Sequence, residues 1–185
     1  MKTHFHETLL TYDGTQLKSR WIEQTFHLTG DAIMAFCGKA DVPIEHMVDL
    51  EDVAANAPIY SEAMLHFIIE HFDRDLEKMV WRQRLFVSIL KEELKNYPVC
   101  QKIRREGDDL FDGNAKLSVS IATASPVSCL IHTGINIVSR NTPVTTKGLA
   151  DYDLDPKTLA KAVLKRYQQE VAEIDHARNK VRPVA

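Results

Sequence analysis

The stretch DDLFDGNAKLSVSIATASPVSCLIHTGINIV, residues 108–138, is the most informative part of the sequence. Residues 111–114 predict a tight turn, because an Asp-Gly pair adopts positive φ angles at low cost. Residues 117–122 then alternate between large apolar and small side chains, which is the two-residue period of a β-strand. Residues 127–138 read as a partner strand. The stretch therefore predicts a β-hairpin that begins at Lys116, the only lysine or arginine within it.

The rest of the chain predicts strands and helices on both sides of this hairpin. Short apolar runs indicate strands, and apolar residues at helical spacing indicate helices. In chain order, the expected elements are a strand at 7–12, a helix opened by a turn at 13–16, strands at 32–37 and 64–70, a helix over 73–97 that ends before Pro98, the hairpin, and a helix that starts at Asp155-Pro156. This order predicts one α+β domain over residues 1–176, a mostly antiparallel sheet with flanking helices, and a basic tail at 177–185.

Composition and charge argue against several classes of protein. The formal net charge of -3 offers no electrostatic basis for nucleic-acid binding. The three cysteines form no Cys-x-x-Cys pair, so we expect a reducing cytoplasm rather than a disulfide framework or a zinc site. No apolar run reaches the ~18 residues that span a membrane, and we expect no signal peptide. The sequence leaves the oligomeric state open.

Lys116 is the first candidate for a ligand-binding residue. A lysine at the start of a half-buried strand can present a point charge to a carboxylate or a phosphate. The alternative is an edge-strand lysine that limits aggregation. Gly134 and Asn136 should lie on the neighbouring strand, where glycine permits close approach of a ligand and asparagine donates and accepts hydrogen bonds. A β-bulge is the other explanation of Gly134.

Charged residues just before the hairpin extend this candidate site. Asp108 and Asp109 either hold a metal ion beside a nucleotide, or orient Lys116, or only begin a turn. Arg104 and Arg105 either bind phosphate or form a solvated cluster. The histidines show no metal-ligand spacing, so no dedicated metal site is expected. The Gly-x-Ser-x-Gly, Walker and Gly-x-Gly-x-x-Gly motifs are absent, so hydrolase and dinucleotide-binding functions have no support.

Three segments in this order resemble the biotin and lipoate protein ligases: Asp109-Leu110, then Lys116-Leu117 seven residues after the aspartate, then Gly134-Ile135-Asn136. The resemblance implies a fold of the biotin/lipoate ligase and class II synthetase type. It also implies that Lys116 contacts the carboxylate of a small acyl ligand and the α-phosphate of ATP, with Mg²⁺ as a further cofactor. Asp109 takes the place of the family's aspartate, and Asp108 stands where the family has asparagine.

Two further segments are similar to the same family. Asp13-Gly14-Thr15-Gln16 resembles the helix start that lines the acyl pocket, which makes Asp13, Thr15 and Gln16 candidate substrate-binding residues. Residues 145–149 and Asp155 resemble a loop and the C-terminal helix of the catalytic domain. The stretch 37–43 takes the place of an arginine-rich loop that closes over the adenylate, yet it contains no arginine. Without guanidinium donors it would stabilise an acyl-adenylate poorly.

The chain also resembles a small uncharacterised prokaryotic family of unknown function, through its segments at 12–17 and 116–123. Three functions follow as hypotheses. The first is transfer of a small carboxylate or acyl group with ATP, in which Lys116 is the catalytic electrostatic anchor. The second is a non-catalytic small-molecule binding protein that has lost adenylation. The third is a tRNA-linked accessory protein, which rests on fold analogy alone.

Overall fold

The computed structural model describes residues 1–142 and 144–184. The strands are β1 (Lys2–His6), β2 (Ala32–Val42), β3 (Ile59–His71), β4 (Arg104–Glu106), β5 (Asp109–Asp112), β6 (Ala115–Lys116), β7 (Ser118–Ala124) and β8 (Cys129–Asn136). The helices are α1 (Trp21–Phe26), α2 (Leu50–Ala54), α3 (Leu76–Lys95) and α4 (Pro156–Asn179). Short 3-10 turns lie at Ile44–His46, Pro98–Cys100 and Leu149–Tyr152.

Five strands form the main sheet in the order β1-β2-β3-β8-β7. β1 pairs with β2 in parallel, and the other neighbours are antiparallel. A small antiparallel sheet consists of β4, β5 and β6. The predicted α+β class, with a mostly antiparallel sheet and flanking helices, is confirmed. The predicted hairpin is formed by β7 and β8, in which Val119 lies opposite Gly134, but it begins at Ser118 instead of Lys116, which belongs to β6 of the small sheet.

Both faces of the main sheet are buried, which explains why its central strands read as continuous apolar runs. On one face, Ile33 and Phe67 belong to the large core that includes residues of α3 and α4. On the other face, Met34 and Ile68 pack with Ile22 of α1 in a smaller core. The first face is covered by two long helices and the second by α1 and irregular chain.

α4 begins at the predicted Asp155-Pro156 pair, whereas α3 begins at Leu76, three residues after its predicted start at 73. Asp75 and Asp155 each accept a hydrogen bond of 2.9 Å from the backbone amide three residues further on. These bonds satisfy amide groups that have no partner within the first turn. α3 ends before Pro98, which cannot continue a helix. α4 runs on through 177–179, the first residues of the stretch that the sequence assigns to a tail.

The strand predicted at 7–12 is wrong. The first strand is β1, and the chain from 7 to 12 crosses the edge of β2 with a single isolated parallel bridge, between Tyr12 and Ala40. The amides of Leu10 and Tyr12 donate to β2 carbonyls at 3.0 and 2.9 Å. The crossing falls at Gly38, where a Cβ atom would lie 1.9 Å from the carbonyl oxygen of Leu10. Such an approach of two backbones requires glycine, and the local apolar pattern contains no sign of it.

The turn predicted at 13–16 is present, but the helix expected to follow it directly starts later, at Trp21. Asp13 Oδ1 accepts hydrogen bonds from the amide and the hydroxyl of Thr15, at 3.0 and 2.6 Å. Gln16 Oε1 accepts from the amide of Asp13 at 3.1 Å. The turn therefore uses these polar groups for its own bonds, and they cap no helix.

Candidate functional site

A cavity of about 170 Å³ lies where the hairpin meets the segments 12–17 and 42–59. We name it the Lys116 cavity. It is lined by Tyr12, Leu17, Val42, His46, Met47, Val48, Asp49, Asp52, Ile59, Asp108, Asp109, Lys116, Val119, Ser120, Ile121 and His132. A second cavity of about 140 Å³, the Asn136 cavity, shares Asp52, Ile59, Lys116 and Val119 with it. These four residues therefore form the boundary between the two cavities.

The backbone of Lys116 is held on both sides. β6 pairs with β5 through Phe111, while Lys116 N donates to Thr145 O at 3.0 Å and Lys116 O accepts from Lys147 N at 3.2 Å. Lys116 therefore does not lie on an open sheet edge, where lysine limits aggregation. Its Nζ lies 2.7 Å from Asp109 Oδ2, so a carboxylate already compensates the ammonium charge.

The two aspartates before the hairpin have different partners. Asp109 bonds to Lys116, but its Oδ1 is buried without a hydrogen-bond partner among the described residues. Burial raises the pKa of Asp109, although Lys116 acts in the opposite direction. Asp108 Oδ2 accepts from Gln83 Nε2 at 2.9 Å, and Arg84 Nη1 lies 3.5 Å from Asp108 Oδ1. Helix α3 therefore positions Asp108, a role for Gln83 and Arg84 that the sequence did not indicate.

Two buried histidines lie at the inner wall of the Lys116 cavity. His132 lines the cavity, and its Nε2 lies 3.1 Å from Nδ1 of His66. His66 Nε2 lies 3.3 Å from the carbonyl oxygen of Gly38. The ring of Tyr12 stacks on His132 with centroids 3.8 Å apart. Burial lowers the pKa of His66 to about 3 and that of His132 well below its usual value, so both rings are neutral near pH 7.

Residues 43–58, which we name the covering segment, close the Lys116 cavity with acidic side chains. The segment contains four Asp and Glu residues and no Lys or Arg. Asp49 and Asp52 line the cavity, and Asp49 also caps α2 by accepting from the amide of Glu51 at 2.8 Å. Burial, and then the charge of Asp49, raise the pKa of Asp52. The cover is therefore of the opposite charge to an arginine-rich loop.

The stretch 37–43 was expected to occupy the place of that loop, and this expectation is wrong. Residues 37–42 are part of β2, which continues to Val42 and pairs with β3 up to Ile59. A strand paired in this way cannot close over a ligand. The covering segment, which follows it, is the part of the chain that lies over the cavity.

The other hairpin residues of the prediction lie on the far side of Lys116. Asn136 lines the Asn136 cavity, and its Nδ2 donates to Lys116 O at 3.5 Å. Gly134 lines neither of the two cavities. A Cβ atom at this position would lie 2.7 Å from Met64 Cε, so the glycine makes room for a core side chain.

Two other predicted groups stay outside the cavity walls. Asp13, Thr15 and Gln16 bond within their turn, while the flanking residues 12 and 17 line the Lys116 cavity. Arg104 and Arg105 are exposed on β4 and line neither cavity. Arg104 donates to the carbonyl oxygen of Gly113 at 2.8 Å and pairs with Glu106, so its contacts are local.

For Mg²⁺ and ATP, which the ligase resemblance implies, the wall of the Lys116 cavity offers carboxylates to the metal but little positive charge to the phosphates. In residues 1–142 and 144–184, no three His, Cys, Asp or Glu side chains are arranged to hold a metal ion. The walls of the two cavities contain one lysine and no arginine within the described chain. Triphosphate recognition relies on guanidinium, ammonium and metal charges, which are scarce here. No helix in the described ranges is long and apolar enough to span a membrane.

The fold is that of the biotin/lipoate protein ligase catalytic domain. A candidate lipoate protein ligase of T. acidophilum, solved with bound lipoic acid, matches with a TM-score of 0.61 and 13% identity over 92% of this chain and 86% of that one. A biotin protein ligase from Aquifex aeolicus, solved with biotin and ATP, matches with a TM-score of 0.62 and 15% identity over 92% and 71%. At these identities the likeness shows the fold alone.

The chain belongs to the DUF366 family, a domain of unknown function, whose model matches residues 1–182. An uncharacterized protein of Methanocaldococcus jannaschii is 36% identical over 100% of this chain and 86% of that relative. A protein of unknown function from Pyrococcus horikoshi has a TM-score of 0.92 and 33% identity over the whole of both chains. The predicted membership of an uncharacterised prokaryotic family is thereby confirmed.

Proposed function

We propose that the chain binds a small molecule in the Lys116 cavity without activating it as an adenylate. The charge of the wall supports this proposal. Lys116 is already paired with Asp109 at 2.7 Å, and the covering segment adds Asp49 and Asp52 but no cation. Each unpaired like-charge contact at 4 Å opposes a phosphate by about 1 kcal/mol even in bulk water, and by more where water is excluded.

A second candidate is transfer of a small carboxylate or acyl group with a nucleotide. The position of Lys116 in the boundary between the two cavities favours it, because ligands in the Lys116 cavity and the Asn136 cavity would meet at Nζ. The structural relatives solved with lipoic acid, or with biotin and ATP, indicate which pair of ligands to test.

Release of pyrophosphate separates the two candidates. The purified chain is incubated with ATP, Mg²⁺ and each of lipoate, biotin and octanoate, with an active biotin protein ligase as the positive control. We expect no pyrophosphate above the protein-free background. Release that requires the carboxylate, and that Lys116→Met abolishes, would overturn the first candidate and establish the second.

Ligand retention tests whether the cavity is used at all. Native mass spectrometry of the freshly purified chain should show a co-purified small molecule that Lys116→Met loses. Methionine keeps an aliphatic stem at this position, so the loss reports on the ammonium group. Lys157→Met is the matched control, since Lys157 pairs with Glu7 at 2.6 Å and lines neither cavity. Equal retention in both variants would contradict a role of Lys116 in binding.

We also propose a cytoplasmic location, because Cys37, Cys100 and Cys129 are free thiols, which persist in a reducing compartment. A tRNA-linked role has little electrostatic support at a net charge of -3. In a gel-shift experiment with bulk tRNA at low salt we expect no shift. A shift that weakens steeply with added salt would restore that role.

A further inference from the structure

We propose that the Lys116 cavity takes a molecule with an apolar body and a cationic, hydrogen-bond-donating end, such as an amine or an amidine. This inference rests on the proposed function, in which the cavity binds a small molecule. It departs from the carboxylate ligands that the fold would suggest. Three features of the wall match such a molecule. They are carboxylates without a cationic partner, a lone pair on a buried histidine, and apolar side chains.

Two carboxylates of the wall have no cationic partner. Of the four aspartates that line the cavity, Asp108 and Asp109 have an arginine or a lysine within 4 Å. Asp49 and Asp52 form no salt bridge with any residue that the structure describes. Partial burial and the like charge of Asp49 raise the pKa of Asp52, and the charge of Lys116 offsets only part of this effect. A cation between them would relieve this repulsion, whereas a carboxylate would add to it.

The proton positions of the buried histidines add another acceptor. The carbonyl oxygen of Gly38 can only accept, so His66 Nε2, 3.3 Å away, carries the hydrogen. A neutral imidazole has one N–H, so His66 Nδ1 is bare and accepts from His132 Nε2 at 3.1 Å. His132 is then bare at its own Nδ1, to which no described residue donates. Because the ring of His132 lines the cavity, this lone pair can accept a hydrogen bond from a molecule bound there.

Besides the hydroxyl of Tyr12, which can donate and accept, the polar atoms of the wall without a partner among the described residues are acceptors. These acceptors comprise the bare Nδ1 of His132, the carboxylate of Asp52 and the buried Oδ1 of Asp109, whereas Asp49 Oδ1 already accepts from the amide of Glu51. Buried acceptors without donors are costly, so the complementary ligand brings N–H groups. The apolar part of the wall comprises Leu17, Val42, Met47, Val48, Ile59, Val119 and Ile121. Since cavities of roughly 150 Å³ hold benzene, a cavity of about 170 Å³ suits a body of one ring.

Benzamidine, benzamide and benzoate test the proposal, because they share one ring and differ in charge. Isothermal titration calorimetry of the full chain at low salt should show benzamidine binding at least about 10-fold more tightly than benzamide. Benzoate should bind more weakly than benzamide. Benzoate binding most tightly would overturn the inference while leaving the proposed function in place.

A charge-removing variant shows whether the carboxylates cause the preference. The double substitution Asp49→Asn with Asp52→Asn should weaken benzamidine at least about 10-fold and leave benzamide unchanged. Asparagine is as good an N-cap as aspartate, so α2 is preserved. Glu51→Gln is the matched control, since Glu51 is an exposed acid of the same helix outside the wall. Equal weakening of benzamide and benzamidine, or none, would overturn the inference.

Nitrogen NMR of the histidines tests the lone pair without any mutation. We expect His66 and His132 to be protonated at Nε2, and the Nδ1 resonance of His132 to shift when benzamidine is added. A hydrogen on Nδ1 of His132 would show that this atom is a donor, which contradicts its assignment as an acceptor for the ligand. If none of the three probes binds, the inference fails, while a co-purified ligand in native mass spectrometry would still uphold the proposed function.

Discussion

The two faces of the main sheet are packed in different ways, and the difference accounts for where a ligand can bind. Under α3 and α4, Phe67 meets Phe86 edge-to-face with ring centroids 5.2 Å apart in a continuous apolar core. On the opposite face, the adjacent residue of the same strand, His66, meets His132 beside the Lys116 cavity. Two consecutive residues of β3 therefore have different surroundings. Phe67 packs in an apolar core on one face, and His66 lies beside a polar cavity on the other.

The physical reason lies in what covers each face. A long helix satisfies its own backbone hydrogen bonds and presents a stripe of apolar side chains that can pack to high density. Irregular chain must satisfy its backbone with turns, caps and side chains. The turn at 13–16 and the cap at Asp49 are examples, and both lie around the cavity. The face under α1 and irregular chain, which we name the covered face, thus holds the Lys116 cavity and the His66–His132 pair, while on the helical face the buried His71 bonds to the hydroxyl of Tyr167 of α4 at 3.1 Å.

The largest effect on stability is expected from Phe67→Ala, which disrupts the core between the main sheet and the two long helices. Phe67 is fully buried, so the change removes apolar contact and leaves a cavity under α3. We expect a loss of about 3–5 kcal/mol in the free energy of unfolding, measured with urea. Leu9→Ala is the control, because Leu9 is 78% exposed and its truncation should change stability by less than about 0.5 kcal/mol. A comparable loss at both positions would contradict the comparison.

The next largest effect is expected from Gly38→Ala, which disturbs the crossing on the covered face. The new Cβ would lie 1.9 Å from the backbone oxygen of Leu10, so residues 7–12 must move off β2 at a cost of about 2–3 kcal/mol. Gly134→Ala is the matched comparison. Its Cβ would meet Met64 Cε, the end of a flexible side chain, at 2.7 Å, so about 1 kcal/mol or less is expected. Similar unfolding free energies for both variants would contradict the close backbone contact between Leu10 and Gly38.

The smallest effect is a dependence of stability on pH that comes from the buried histidines. In the unfolded chain a histidine has a pKa near 6.5, whereas His66 has a folded-state pKa of about 3 and that of His132 is also lowered. Below about pH 6.5 the unfolded chain binds protons that the folded chain does not, so stability falls as the pH drops toward 3. Between pH 7 and pH 6 the loss from these two rings should be about 1.4 kcal/mol, and His71, whose pKa burial also lowers, adds to it.

Urea unfolding at the two pH values measures this loss. The carboxylates add little in this interval, because their pKa values lie near 4 in the unfolded chain. His176→Gln, at an exposed position of α4, should leave the slope unchanged. A pH-independent free energy of unfolding in the unmodified chain would mean that the two buried rings are not held neutral.

Much of the fold could be predicted, because its signals are local. The buried strands at 32–37 and 64–70 lie within β2 and β3, and α3 lies within the helix predicted over 73–97. These elements follow from apolar runs, helical spacing and a proline that ends a helix. Each of these signals involves only neighbouring residues, and tertiary contacts did not override it. The prediction of a strand at 7–12 was wrong because the backbone of Leu10 packs against Gly38. Gly38 is distant in sequence, so the local pattern does not reveal this contact.

The candidate site could be predicted only around its centre. Lys116, Asp108 and Asp109 are close in sequence, and the structure places all three in one cavity wall. Their further roles remain predictions. Arg104 and Arg105 are just as close in sequence but lie on an exposed strand outside the wall. Proximity in sequence does not determine whether the side chains of a short strand point into the cavity or into solvent.

The sequence by itself determined the hairpin, the two long helices and the family to which the chain belongs, because each depends on the order and spacing of nearby residues. Tertiary structure alone decided what faces Lys116. His66 and His132 are 66 residues apart, and nothing local pairs them. The acidic covering segment likewise reaches the cavity only because β2 extends to Val42 before the chain turns. The charge of the site is thus set by contacts between distant residues.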